Sequence, residues 1–155
     1  MKLPLLLFVF VASTAFGQPQ LATNAPIDKP VAVMTNPQFS ALERAIAPHV
    51  AKARETYPEA KRRYLAGLPP KHVFFVTTRL RDMSGVLEQV FIAVERINDG
   101  KITGTISSNL ALVKDYKRGQ RYTLAETDLL DWLISKPDGT EEGNFVGKFL
   151  DTYKP

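Results

Sequence analysis

Carboxylates are the chain's main stock of groups that could react. Asp128 and Asp131 are three residues apart, and Asp138, Glu141 and Glu142 surround a Pro137-Asp138-Gly139 turn. Two acids can act as general acid and general base when their surroundings push their pKa values apart. A hydrolase using two of Asp128, Asp131 and Glu142 is therefore one reading, although acids flanking such a turn are far more often plain surface. The rest of the catalytic stock is thin. His49 and His72 fall in different elements, and neither has a partner at metal-ligand or triad spacing. With no cysteine in 155 residues, thiol nucleophiles and thiolate-based zinc sites are excluded. There is no GxSxG elbow, no HExxH pair and no phosphate-cradling glycine loop. No catalytic residue, metal ligand or cofactor is assigned.

Binding needs fewer special groups. The polar residues that gather near glycine turns, Glu88, Asn109, Asp131 and Glu142, form the candidate binding set together with Trp132. Trp132 is the chain's one tryptophan and lies inside the apolar run "LLDWLI". Such an indole is either a core anchor whose N–H finds a partner or an aromatic platform in a groove. Its apolar neighbours favour the core, with Asp131 capping a helix turn or tying down a loop.

The elements that would position these residues follow from periodicity. Phe39, Leu42, Ile46, Val50, Ala53 and Tyr57 step by threes and fours, which puts them on one face of a helix. Pro48 predicts a kink or restart near Ala47, and Pro58 predicts the first position of a further short helix that ends at Gly67. His72–Leu80 and Val86–Ile97 read as a hairpin, Asn98-Asp99-Gly100 as a turn, and "KITGTIS" as a third strand. "KRGQRYTLA" enters another strand, and "DLLDWLIS" is a strand or one helical turn. Phe145, Val146, Phe149, Leu150 and Tyr153 form a helical stripe with Asn144 as its N-cap. The expected class is α+β: N-terminal amphipathic helices on an antiparallel sheet or small barrel, with a short C-terminal helix.

The chain opens with Lys2, an apolar run from Leu3 to about Ala12, then small residues, the order of a secretory signal peptide cut after Gly17. Residues 18–37 hold four prolines and no regular period, so they read as an extended leader, with an edge strand at Val31–Met34 as the alternative. Residues 38–155 are then a single domain. Nothing after Gln18 is long enough to span a bilayer, so the expected location is periplasmic or secreted. The formal net charge of +4 falls to +3 when Lys2 leaves, too little to argue for nucleic acid. The charge is unevenly spread: Ala41–Leu65 holds six basic and three acidic residues, and Thr123–Pro155 three basic and seven acidic.

Several motifs lie between about Ala41 and Thr152: "YPEAKRRY" before "FFV", Glu88 followed by the aromatic Phe91, and a GxIxxN element from Gly104 to Asn109. Lys117–Gly119, the Asp131-Trp132 pair and "EGNFVGKF" complete the set. By these residues the chain resembles the YegJ-like bacterial proteins, a domain family of unknown function. Where the family tends to carry tryptophan after the strand-two acid, this chain has Phe91. The resemblance implies a fold and a compartment rather than a reaction; the family's broader relatives include domains that look like toxin-neutralising immunity proteins. The leading expectation is an exported binding domain that engages a protein or an envelope component. A structural periplasmic protein without catalytic activity is the blander alternative.

Overall fold

The computed structural model describes residues 36–153. The expected signal peptide, the leader as far as Thr35 and its alternative strand at Val31–Met34 lie outside the described residues. The described part is α+β. A long helix, α1 (Asn36–Ala66), precedes the strands β1 (Val73–Arg81), β2 (Leu87–Asn98), β3 (Lys101–Ile106), β4 (Arg121–Ala125), β5 (Asp131–Ser135) and β6 (Glu141–Gly143). A one-turn 3-10 segment, Glu126–Asp128, leads into β5, and a short helix, α2 (Phe145–Thr152), closes the domain. The strands form one open, antiparallel sheet in the order β4-β3-β2-β1-β5-β6. Of the two expected sheet forms it is the sheet, not the barrel. Among the described residues no helix is long and apolar enough to cross a membrane.

The two expected N-terminal helices are one. α1 runs 31 residues through both Pro48 and Pro58. A proline removes the hydrogen bond to the carbonyl four residues back, here those of Arg44 and Arg54. Both prolines and both arginines are exposed, so water can reach the freed carbonyls. The buried stripe Leu42, Ile46, Ala53, Tyr57 and Ala60 is left unbroken on the other side.

That stripe serves two partners. Ala53, Tyr57 and Ala60 share a core with Phe74 and Val76 of β1, Val90 and Ile92 of β2, and Trp132 and Ile134 of β5. Leu42 and Ile46, about two to three turns before Ala53, pack instead on Val146 of α2, with Phe149, Leu150 and Tyr153 around them. The half-buried His49 ring stacks on Phe149 at 4.4 Å.

Side chains alternate between the faces of a strand, and cross-strand partners share a face. Val76 pairs with both Ile92 and Trp132, so these define the side covered by α1. Phe75 pairs with Ala93 and Leu133 on the opposite side, and Thr77 with Asp131. Asp131 and Trp132 therefore leave the strand in opposite directions. On β2 the ladder slips between Val94 and Arg96, a bulge that lets Ile97 turn back into the core.

Candidate functional site

Trp132 is an anchor. It is 6% exposed, and its indole N–H donates to the Ala53 carbonyl at 3.1 Å and to Thr56 Oγ1 at 3.0 Å. Phe145 meets the indole edge-on at 6.0 Å. The tryptophan thus ties β5 to the middle of α1 and to the start of α2. The "EGNFVG" segment is shaped around it. Gly143 has φ +77, and a Cβ there would lie 2.3 Å from the Trp132 carbonyl oxygen and 2.8 Å from the indole. Asn144 N–H donates to that same carbonyl at 2.8 Å. Gly147 is required in its turn, because its Cβ would stand 2.1 Å from Asn144 Oδ1.

Asn144 is not the side-chain cap expected for α2. It sits in the left-handed region at φ 56 and makes no side-chain cap bond. Asp131 caps the helix from the neighbouring strand instead. Its Oδ2 accepts the Val146 N–H at 2.6 Å and its Oδ1 the Trp132 N–H at 2.8 Å. A carboxylate there satisfies orphan donors and suits the positive end of the helix.

Burial raises the Asp131 pKa to about 6, outweighing the downward pull of the amides of Val146, Trp132, Phe145 and Gly147. The folded protein therefore holds this proton more tightly than the unfolded chain. The resulting stabilisation is complete below about pH 4 and is lost as pH rises through 6, a span of about 3 kcal/mol at about 1.4 kcal/mol per pH unit. Unfolding of wild type and Asp131→Asn followed across pH 3–8 is expected to differ mainly in this window, where only wild type loses stability with rising pH. Equal slopes in the two proteins between pH 4 and 6 would rule the assignment out.

Glu142 shows the opposite electrostatics. It accepts from Arg63 of α1 at 2.6 Å and Lys136 at 2.8 Å, and these two cations hold its pKa down at about 2. Two acids with separated pKa values are the pattern of an acid–base pair, but these two do not converge. Glu142 pairs with Ile134 on the α1 side of the sheet, and Asp131 points to the other. Asp128 is exposed, and its carbonyl accepts the Thr78 hydroxyl at 3.1 Å.

Glu88 also faces the α1 side, as the cross-strand partner of Leu80. It is 5% exposed, and its carboxylate accepts three successive amides, Ala111 at 2.7 Å and Leu112 and Val113 at 2.9 Å each. It clamps the β3–β4 connection. Asn109 lies exposed on the same connection and accepts from Arg118 at 2.9 Å. The five candidate binding residues are thus not brought together on one open face: Glu88, Asp131 and Trp132 are buried, and Glu142 is held by its cations. Among the described residues no group of three His, Cys, Asp or Glu is placed to hold a metal.

An open concavity lies elsewhere. A cleft of about 590 Å³ is formed where the end of α1 meets the β2 bulge, lined by Tyr64, Leu65, Leu68, His72, Val94 and Arg96 among others. Tyr64 O–H donates to the Val94 carbonyl at 3.3 Å and props the cleft floor, while Leu65 stands 58% exposed at its side. His72 is half-buried in this wall. The sequence does contain a signal for the bulge: the β-branched residues of β2 on the α1 side step by two through Val90 and Ile92 to Val94 and then by three to Ile97.

No curated protein and no solved structure matches the chain. A model of a bacterial family matches residues 41–152, a span that includes the Glu88 clamp, the Asp131-Trp132 pair and the "EGNFVG" turn. Of the residues that carry the YegJ-like resemblance, the Asp131-Trp132 pair and the "EGNFVG" turn lock α1, β5 and α2 together, and by this match the chain belongs to DUF2314, the family of uncharacterised proteins conserved in bacteria.

Proposed function

We propose that this chain is an exported binding domain that works in the periplasm, where it engages a protein or envelope component through the cleft between the end of α1 and the β2 bulge. The observation that carries this reading is the combination of an exposed leucine, Leu65, with Arg96 and Glu95 around one open concavity. Of the acids that a hydrolase would need, buried Asp131 is meanwhile occupied by backbone amides and half-exposed Glu142 by cations. An apolar anchor with charges at the rim is the composition of a recognition surface. Export rests on the signal-peptide pattern at the N-terminus. A photoreactive residue in place of Leu65 is expected to capture one discrete periplasmic component, and Arg96→Glu to abolish the capture while the fold is kept. Equal capture from an exposed position remote from the cleft, such as Lys114, or recovery of the protein only from the cytoplasm, would overturn the reading.

A further inference from the structure

The sheet face opposite α1 carries its own apolar cluster. Phe75 and Ala93 are fully buried, Leu133 is 1% exposed and Phe91 7%. Yet among the described residues the further apolar side chain packed against this cluster is Val73, which belongs to β1 itself. Burial this complete at the middle of a sheet face requires a covering layer. α1 and α2 supply the layers of the other two clusters.

We propose that this face is the seat of the chain's own Val31–Met34 segment, laid across β2, β1 and β5. Three observations favour that occupant. First, α1 begins on the correct side: Arg79 shares the Phe75 face by alternation, and its guanidinium pairs with Glu43 and lies over the Phe39 ring, 5.6 Å from the centroid. Second, the reach fits. From Val33 to Asn36 an extended chain spans at most about 10 Å, and the helical rise from Asn36 to Phe39 adds about 4.5 Å. Phe75 lies four residues along β1 from Arg79, about 13 Å away. Third, Val31, Ala32, Val33 and Met34 form an apolar run between Pro30 and Pro37. The β-branched valines pack well on a pleated surface. The segment then shields an apolar patch and fixes the entry of α1.

The absence of cysteine allows a clean test. A nitroxide on Lys29→Cys, beside the segment but not in it, is expected to broaden away the amide signals of Phe75, Ala93 and Leu133. The signals of Ala60 and Leu124 on the α1 side are expected to keep most of their intensity. Adding Val31→Asp and Val33→Asp is expected to restore the lost signals, with circular dichroism reporting an intact fold. Three outcomes overturn the proposal: no selective broadening, broadening that survives the two aspartates, or broadening seen when labelled and isotope-enriched chains are mixed, which assigns the seat to a second copy. A label on Phe8→Cys that alone broadens these residues in the whole chain would assign it to the apolar N-terminus and overturn it too.

Discussion

Cutting Trp132 back to alanine is expected to lower stability by about 3–5 kcal/mol, the range for removing a large aromatic side chain from a packed core. The melting temperature is expected to fall on the order of 10–20 °C for a domain of this size. Three losses combine. The indole is 6% exposed and part of the main core, so a cavity opens between α1 and β5. Its edge-on contact with Phe145 disappears. Its N–H no longer bridges Ala53 and Thr56. Trp132→Phe separates these causes, since phenylalanine keeps most of the apolar surface and loses the donor. A smaller loss of about 1–2 kcal/mol is expected for it, the scale of one hydrogen bond plus partial underpacking. Circular dichroism is the readout, because both variants remove the only tryptophan. If Trp132→Ala melted with wild type while losing a bound partner, the residue would be a recognition platform rather than an anchor.

The contrast between Trp132 and its neighbours shows which parts of the fold are local. The β1–β2 hairpin and the start of β3 are legible because β-branched runs, a glycine-bearing link and the Asn-Asp-Gly turn lie within a few residues of one another. The α2 stripe is legible for the same reason. Less legible is what depends on distant partners. "DLLDWLIS" suits a strand or one helical turn, and pairing with β1 residues 54 to 62 positions earlier makes Asp131–Ser135 a strand. β6 has three residues and no period at all; it exists because β5 offers an edge and Gly143 can press against Trp132. α1 departs from the local rule for the opposite reason. Pro48 and Pro58 predict two breaks, but the packing of its continuous stripe on α2 and on the sheet holds one helix together.

The candidate site divides in the same way. Residue type singles out Glu88, Asp131 and Trp132 as unusual, and each proves heavily engaged. What type cannot show is the partner. Glu88 meets amides 23 to 25 residues away and Asp131 an amide 15 residues away, so both acids serve the backbone. The cleft escaped notice because its residues are individually ordinary. A tyrosine and a leucine at a helix end, a histidine before a strand and an Glu-Arg pair in a bulge become neighbours only when α1 lies across the sheet.

Glu88 gives the second large effect, and it distinguishes local from global loss. Its three accepted amides are charge-assisted hydrogen bonds to one buried carboxylate, each stronger than a neutral one. Glu88→Ala removes all three at once and is expected to cost about 3–5 kcal/mol, less than the sum of three separate bonds, because water reaches the exposed Ala111 end of the loop. Glu88→Gln is expected to recover little. The glutamine amide presents one acceptor, and its NH2 group faces N–H donors that need a lone pair. The measurement that separates mechanisms is hydrogen exchange at Ala111, Leu112 and Val113. Protection there is expected to collapse in both variants, whereas Phe75 and Ile92 in the sheet centre lose protection only as far as global stability falls. Val113 is the sharpest reporter, being buried in the main core at 5% exposure. Were Glu88 a surface recognition acid, these three amides would stay protected in Glu88→Ala and only partner binding would change.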